Sequence, residues 1–144
     1  MGERLARAAA VGQGAFWLAS GLWPLVHYRS FEAVTGPKQD DWLVKTIGGL
    51  IAIVGATLTV AGLRRRVTPE IRLLGAASAA ALAAADVWFV RRGRISKVYL
   101  LDVVAEAPFL AAWAVAGRGR GQRAEPTIPD ERRLAPEEAY VPAT

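Results

Sequence analysis

TIGGLIAIVGATLTVAGLRRR, residues 46–66, is the stretch whose reading decides the fold. Its first 18 residues carry no charge, and three consecutive arginines end it abruptly. An uncharged apolar run of about 18 residues or more is long enough for a helix to cross the hydrocarbon core of a bilayer. The small residues Gly48, Ala52, Gly55, Thr59 and Gly62 alternate spacings of four and three, so they share one helix face. In lipid such a face lets a second helix approach closely, and packing is the main source of association there.

Outward from this stretch, three others read the same way. The span over 8–26 holds one polar amide, Gln13, behind Arg4 and Arg7. The span over 70–90 opens on Thr68, Pro69 and Glu70: a cap, a proline at the first helical position and an acid in the first turn. Its middle is almost all alanine, a strong helix former. The span over 97–117 follows the basic turn Arg91, Arg92, Gly93, Arg94 and carries Asp102, Glu106 and Pro108, so a kink near Glu106 is expected. With 42–63 as the second span, the expected fold is all-α: a four-transmembrane-helix bundle, up-down-up-down, over 1–117. A polar tail over 118–144, rich in proline and charge, is expected to be disordered.

Composition narrows the chemistry. At 53% hydrophobic and 22% charged, the 144-residue chain is too apolar to be disordered throughout. With no cysteine, thiol exchange is excluded and iron–sulfur ligation disfavoured. A lone histidine, His27, excludes bis-histidine haem within one chain. No metal or cofactor is expected. The net charge of +5 comes from basic residues clustered at the ends of the apolar runs, which suits anionic head groups better than nucleic acid. Four spans would place 11 of the 18 basic residues on the side of both termini. The excess favours a multi-pass protein of the bacterial inner membrane with both termini cytoplasmic.

Ionisable residues within such spans usually face the bundle interior and mark function. Asp102 and Glu106 are four apart and share a face; Asp86 and Lys45 fall in the same half, and His27 and Glu32 just above it. These residues predict an outward-facing polar pocket with Glu106 at its floor. Glu106, Asp102 and His27 are the candidate catalytic groups, and Glu32, Lys45, Asp86, Trp88, Arg91 and Tyr99 the candidate ligand contacts. Interhelical ion pairs among Asp86, Asp102, Lys45 and the basic turn are the structural alternative. The expected function is binding of a lipid or lipophilic small molecule, or support of a membrane partner. The alternative is carboxylate acid/base catalysis on a lipid-like substrate. A second copy of the chain is a possible partner through the Gly48/Ala52/Gly55/Thr59/Gly62 face.

SFEAVTGPK over 30–38, WLVKTIG over 42–48, and the later run of Asp86, Arg91, Gly93, Ile95, Tyr99, Asp102 and Glu106 carry a resemblance. The chain resembles, over about 15–116, a family of small bacterial four-helix integral membrane proteins of unassigned activity. The resemblance implies the fold and no chemistry. A looser likeness, to membrane sterol isomerases and their ligand-binding relatives, rests only on intramembrane acids and a histidine in a small bundle, and transfers no catalytic residue.

Overall fold

The computed structural model describes residues 1–118, so the tail beyond Arg118 lies outside the described residues. They form five helices and no strand: α1 Gly2–Val26, α2 Tyr28–Thr35, α3 Asp41–Leu63, α4 Pro69–Arg91 and α5 Leu100–Arg118. A short 3-10 turn, Lys97–Tyr99, leads into α5.

Local chemistry sets the boundaries. α1 runs through Pro24 and stops where the His27 N–H bonds back to the Trp23 carbonyl at 2.9 Å. His27 then caps α2, its Nδ1 accepting the Ser30 N–H at 3.3 Å, and Gly36 ends α2 at a φ of 87°. Thr68 Oγ1 accepts the Ile71 N–H at the start of α4, with Pro69 in the first turn where its missing donor costs nothing. Ser96 Oγ accepts the Val98 N–H at 3.3 Å and starts the last turn-and-helix unit. α5 continues through Pro108.

Three of these segments, Asp41–Leu63, Pro69–Arg91 and Lys97–Arg118, are long and apolar enough to cross a membrane. α1, as long as they are, is diluted by Gln13, Ser20 and four glycines and carries Glu3, Arg4 and Arg7 near its start. Its burial offers a physical reason. α1 is the most enclosed helix, touching α2, α3, α4 and α5 and burying Ala6, Ala9, Ala10, Gln13, Gly14, Trp17, Gly21 and Pro24. A helix surrounded by helices needs less apolar surface than one facing lipid.

The α1–α3 seam is backbone against backbone. Gly14 and Gly21 of α1 are seven apart, as are Gly48, Gly55 and Gly62 of α3, and the two sets interleave. A Cβ built on Gly21 would stand 2.5 Å from the Gly48 carbonyl oxygen, and one on Gly55 would stand 2.5 Å from the Leu18 nitrogen. The stripe expected to offer a face to a second copy is therefore occupied by α1 of the same chain.

α4 and α5 pack on each other and reach α3 mainly through α1. At the end bearing the N-terminus, Ala6, Ala9, Ala10, Val67, Trp113 and Ala116 form the apolar core. The outer faces remain apolar: Ile53 is 65% exposed, Leu73 69% and Leu101 68%. Contiguous apolar surface on this scale calls for lipid or protein to cover it.

Candidate functional site

Polar side chains form a ladder along α1, from an exposed ion pair at its start to buried groups on its inner face. Glu3 pairs with Arg72 of α4 at 2.7 Å, and Arg72 also donates to the Ala116 carbonyl of α5 at 3.0 Å. Three turns further along α1, Gln13 is fully buried; its amide nitrogen donates to the Gly75 carbonyl at 2.9 Å, and its oxygen accepts the Trp113 indole N–H at 2.6 Å. Gly75 is needed there, because a Cβ would stand 2.8 Å from the Trp113 ring. One amide thus ties α1 to both α4 and α5.

Four residues on, hence on the same face, Trp17 is buried, and its indole N–H donates to Oε1 of Glu106. Glu106 has no exposed surface, and its second oxygen, Oε2, has no hydrogen-bond partner. Asp86 of α4 and Asp102 of α5 lie within electrostatic reach of this site. The half-buried carboxyls of Asp86 and Asp102 lie within hydrogen-bonding reach of each other. Among the described residues no lysine, arginine or histidine pairs with any of the three acids. Nor do the described residues gather three potential ligands closely enough to hold a metal ion.

Tyr99 continues the ladder towards the α2 side. Its hydroxyl lies within hydrogen-bonding reach of Thr35, which is itself buried, and within electrostatic reach of Asp86 and Asp102. Lys38 folds beside this point. Its ammonium donates to the Thr35 and Gly36 carbonyls at 2.8 and 2.7 Å and stands 5.4 Å from the Tyr99 ring centre and 5.9 Å from that of Phe31. Partial burial holds the Lys38 ammonium below its usual pKa, with Glu32 pulling the other way. Glu32 Oε1 accepts the Lys38 backbone N–H at 3.3 Å. α2 and its following loop thus dock through Thr35 and Lys38 onto the turn that starts α5.

The sequence-predicted site residues fall into separate places. Asp86, Asp102, Glu106 and Tyr99 come together. Glu32 joins the Lys38 loop beside them. Lys45 pairs with Asp41 at 2.7 Å and lies 5.1 Å from the Tyr28 ring centre. His27 is exposed, and its hydrogen bonds stay within the α1–α2 junction. Trp88 is 55% exposed and stacks under the Arg92 guanidinium at 4.3 Å. Trp88 and Arg91 line an open cleft of about 400 Å³ with Ala83, Ala84, Val87 and Val103, between α4 and α5.

Trp17 was missed as the partner of Glu106, as was the bracing of Gln13 by Trp113. The signal was available: Gln13 and Trp17 are four apart in an otherwise apolar stretch, and two hydrogen-bonding side chains on one face of such a helix require partners. Lys38 was visible only as a loop cation. No protein-family model, characterised protein or solved structure matches this chain.

Proposed function

We propose that this chain is a small multi-pass membrane protein that binds a lipid or lipophilic small molecule at the Glu106–Asp102–Asp86 cluster. In this reading four helices cross the bilayer and both termini are cytoplasmic. The three apolar helices and their exposed leucines and isoleucines support placement in lipid. α1 enters as the enclosed fourth helix.

One observation carries the binding reading: a fully buried carboxyl whose Oε2 lacks a donor, beside two further carboxyls that no cation of the described chain neutralises. A buried acceptor left unmade costs about 1–3 kcal/mol. A ligand that brings a donor, a hydroxyl or an ammonium group on an apolar body, would recover it. The proposed ligand class is therefore a lipophile with a hydrogen-bond donor at its polar end.

The test uses the purified full chain in detergent, with thermal unfolding followed as stearylamine, stearyl alcohol or methyl stearate is added. The first two carry a donor; the ester only accepts. Stabilisation by a donor-bearing probe, absent with the ester and lost in Glu106→Gln, is the expected result. Glu106→Gln keeps an oxygen for Trp17, so the fold is expected to survive, as circular dichroism would record. Equal responses to all three probes, or an unchanged response in Glu106→Gln, would overturn the reading.

A further inference from the structure

The opposite end of the molecule carries a second feature that the acid cluster does not use. Between α3 and the start of α4 lies an open groove of about 450 Å³. Ala56, Val60 and Ala61 of α3 and Ile71 of α4 form its apolar wall, and Arg64 and Arg66 stand at the end where α3 stops. The groove exists because α3 and α4, though consecutive, barely touch. We propose that it binds an anionic phospholipid, with an acyl chain along the apolar wall and the phosphate between Arg64 and Arg66.

Three observations point to this occupant. The shape pairs an apolar trough with a charged mouth, and guanidinium groups match phosphate oxygens in geometry as well as charge. A free phosphate would leave the trough unfilled, and a neutral lipid would leave the arginines unused.

Among the described residues the arginines are also uncommitted. Arg72 is paired with Glu3, and Arg7 donates to the Gly62 carbonyl at 3.1 Å. Arg64, Arg65 and Arg66 are exposed and enter no ion pair among the described residues.

The backbone at this corner is held against local preference. α3 closes with the Arg66 N–H on the Ala61 carbonyl at 2.9 Å and the Arg65 N–H on the Gly62 carbonyl at 3.2 Å, which puts Arg65 in the left-handed region at a φ of 56°. α4 ends with the same pattern, the Arg94 N–H on the Phe89 carbonyl at 3.0 Å, but there Gly93 takes the left-handed position at a φ of 65°. Glycine is the relaxed choice at such a site. At α3 the chain keeps an unbroken arginine triplet instead, and the turn returns Arg66 to the groove alongside Arg64.

This proposal rests on the membrane reading but not on the acid site. Its test is native mass spectrometry of the full chain in detergent, titrated with phosphatidylglycerol or phosphatidylcholine of identical acyl chains. The chain is expected to hold phosphatidylglycerol about tenfold more tightly. The double variant Arg64→Gln/Arg66→Gln should bring the two lipids to near parity. The control Arg29→Gln/Arg94→Gln, equal in charge change, should keep the preference. Ala61→Phe, which fills the trough and spares both arginines, should weaken phosphatidylglycerol binding about threefold or more with helicity unchanged. Parity in the wild-type chain, a preference that survives in the double variant, or an equal loss in the control would overturn the proposal. Displacement of the lipid by glycerol phosphate at comparable concentration would overturn the acyl-chain part. Glu106→Gln should retain the lipid preference, so failure at one site is distinguishable from failure at the other.

Discussion

Replacing Gly55 by alanine is the sharpest probe of how this bundle is held. A Cβ on Gly55 would sit 2.5 Å from the Leu18 nitrogen, 2.7 Å from the Gly14 carbonyl oxygen and 2.9 Å from the Trp17 carbonyl carbon, where ordinary contact begins at 3.4 Å. All three are backbone atoms, so no rotamer change relieves the clash; α1 and α3 must separate along their seam. Overpacking of this kind costs about 1–3 kcal/mol. The methyl group also brings a helix-propensity gain of about 1 kcal/mol over glycine. With the steric cost at the upper end of its range, Gly55→Ala should destabilise the fold by about 2 kcal/mol. Gly49 lies in the same helix with nothing within 4 Å of its would-be Cβ. There only the propensity gain remains, so Gly49→Ala should be neutral or stabilising by up to about 1 kcal/mol. The assay is unfolding by sodium dodecyl sulfate in mixed micelles, followed by tryptophan fluorescence; Trp17 and Trp113, both buried, report the loss of helix contacts. Equal shifts for the two variants, or a larger loss at Gly49, would refute a backbone-contact seam between α1 and α3.

Other substitutions check other joints. Gln13→Leu strands the Trp113 N–H and removes the second donor of the helical Gly75 carbonyl, and should cost about 1–3 kcal/mol in the same unfolding assay. Arg65→Gly places the residue that tolerates a positive φ where one is required, and should raise stability by about 1 kcal/mol, read as a higher melting temperature by circular dichroism. Thr68→Ala removes the cap of α4 and should lower stability by about 1 kcal/mol, whereas Thr68→Ser should retain it.

Helix positions were legible because each has a local cause. The expected span over 42–63 is α3 Asp41–Leu63 almost to the residue, since an acidic start and an arginine stop mark it. Thr68-Pro69 announced its helix for an equally local reason. The 3.6-residue repeat brought Asp102 and Glu106 to one face, and Asp86 joins them from α4. What was not legible depends on the partner across the interface. The glycine stripe of α3 reads as a contact face from spacing alone, but spacing does not say that α1, with its own glycines seven apart, is what covers it. The second helix, α2, begins at Tyr28 because His27 supplies its cap from one residue before it. The cations Lys45 and Lys38, expected near the acids or left unassigned, were settled by neighbours only two to four residues away: Asp41 for the first, the Thr35 and Gly36 carbonyls for the second.

The central position of α1 bears on biogenesis. It is synthesised before the three apolar helices yet is less apolar than they are, and its Gln13 amide and Trp17 indole find their partners only on α4 and α5. Under the proposed four-span reading, a segment emerging alone would have to hold Gln13 in hydrocarbon with no partner for it. Its settled state is therefore expected to wait for the later hairpin, with the glycine-lined contact to α3 as the intermediate shelter, so that nascent chains cut short before residue 69 should be the ones most readily cleared by quality-control proteases.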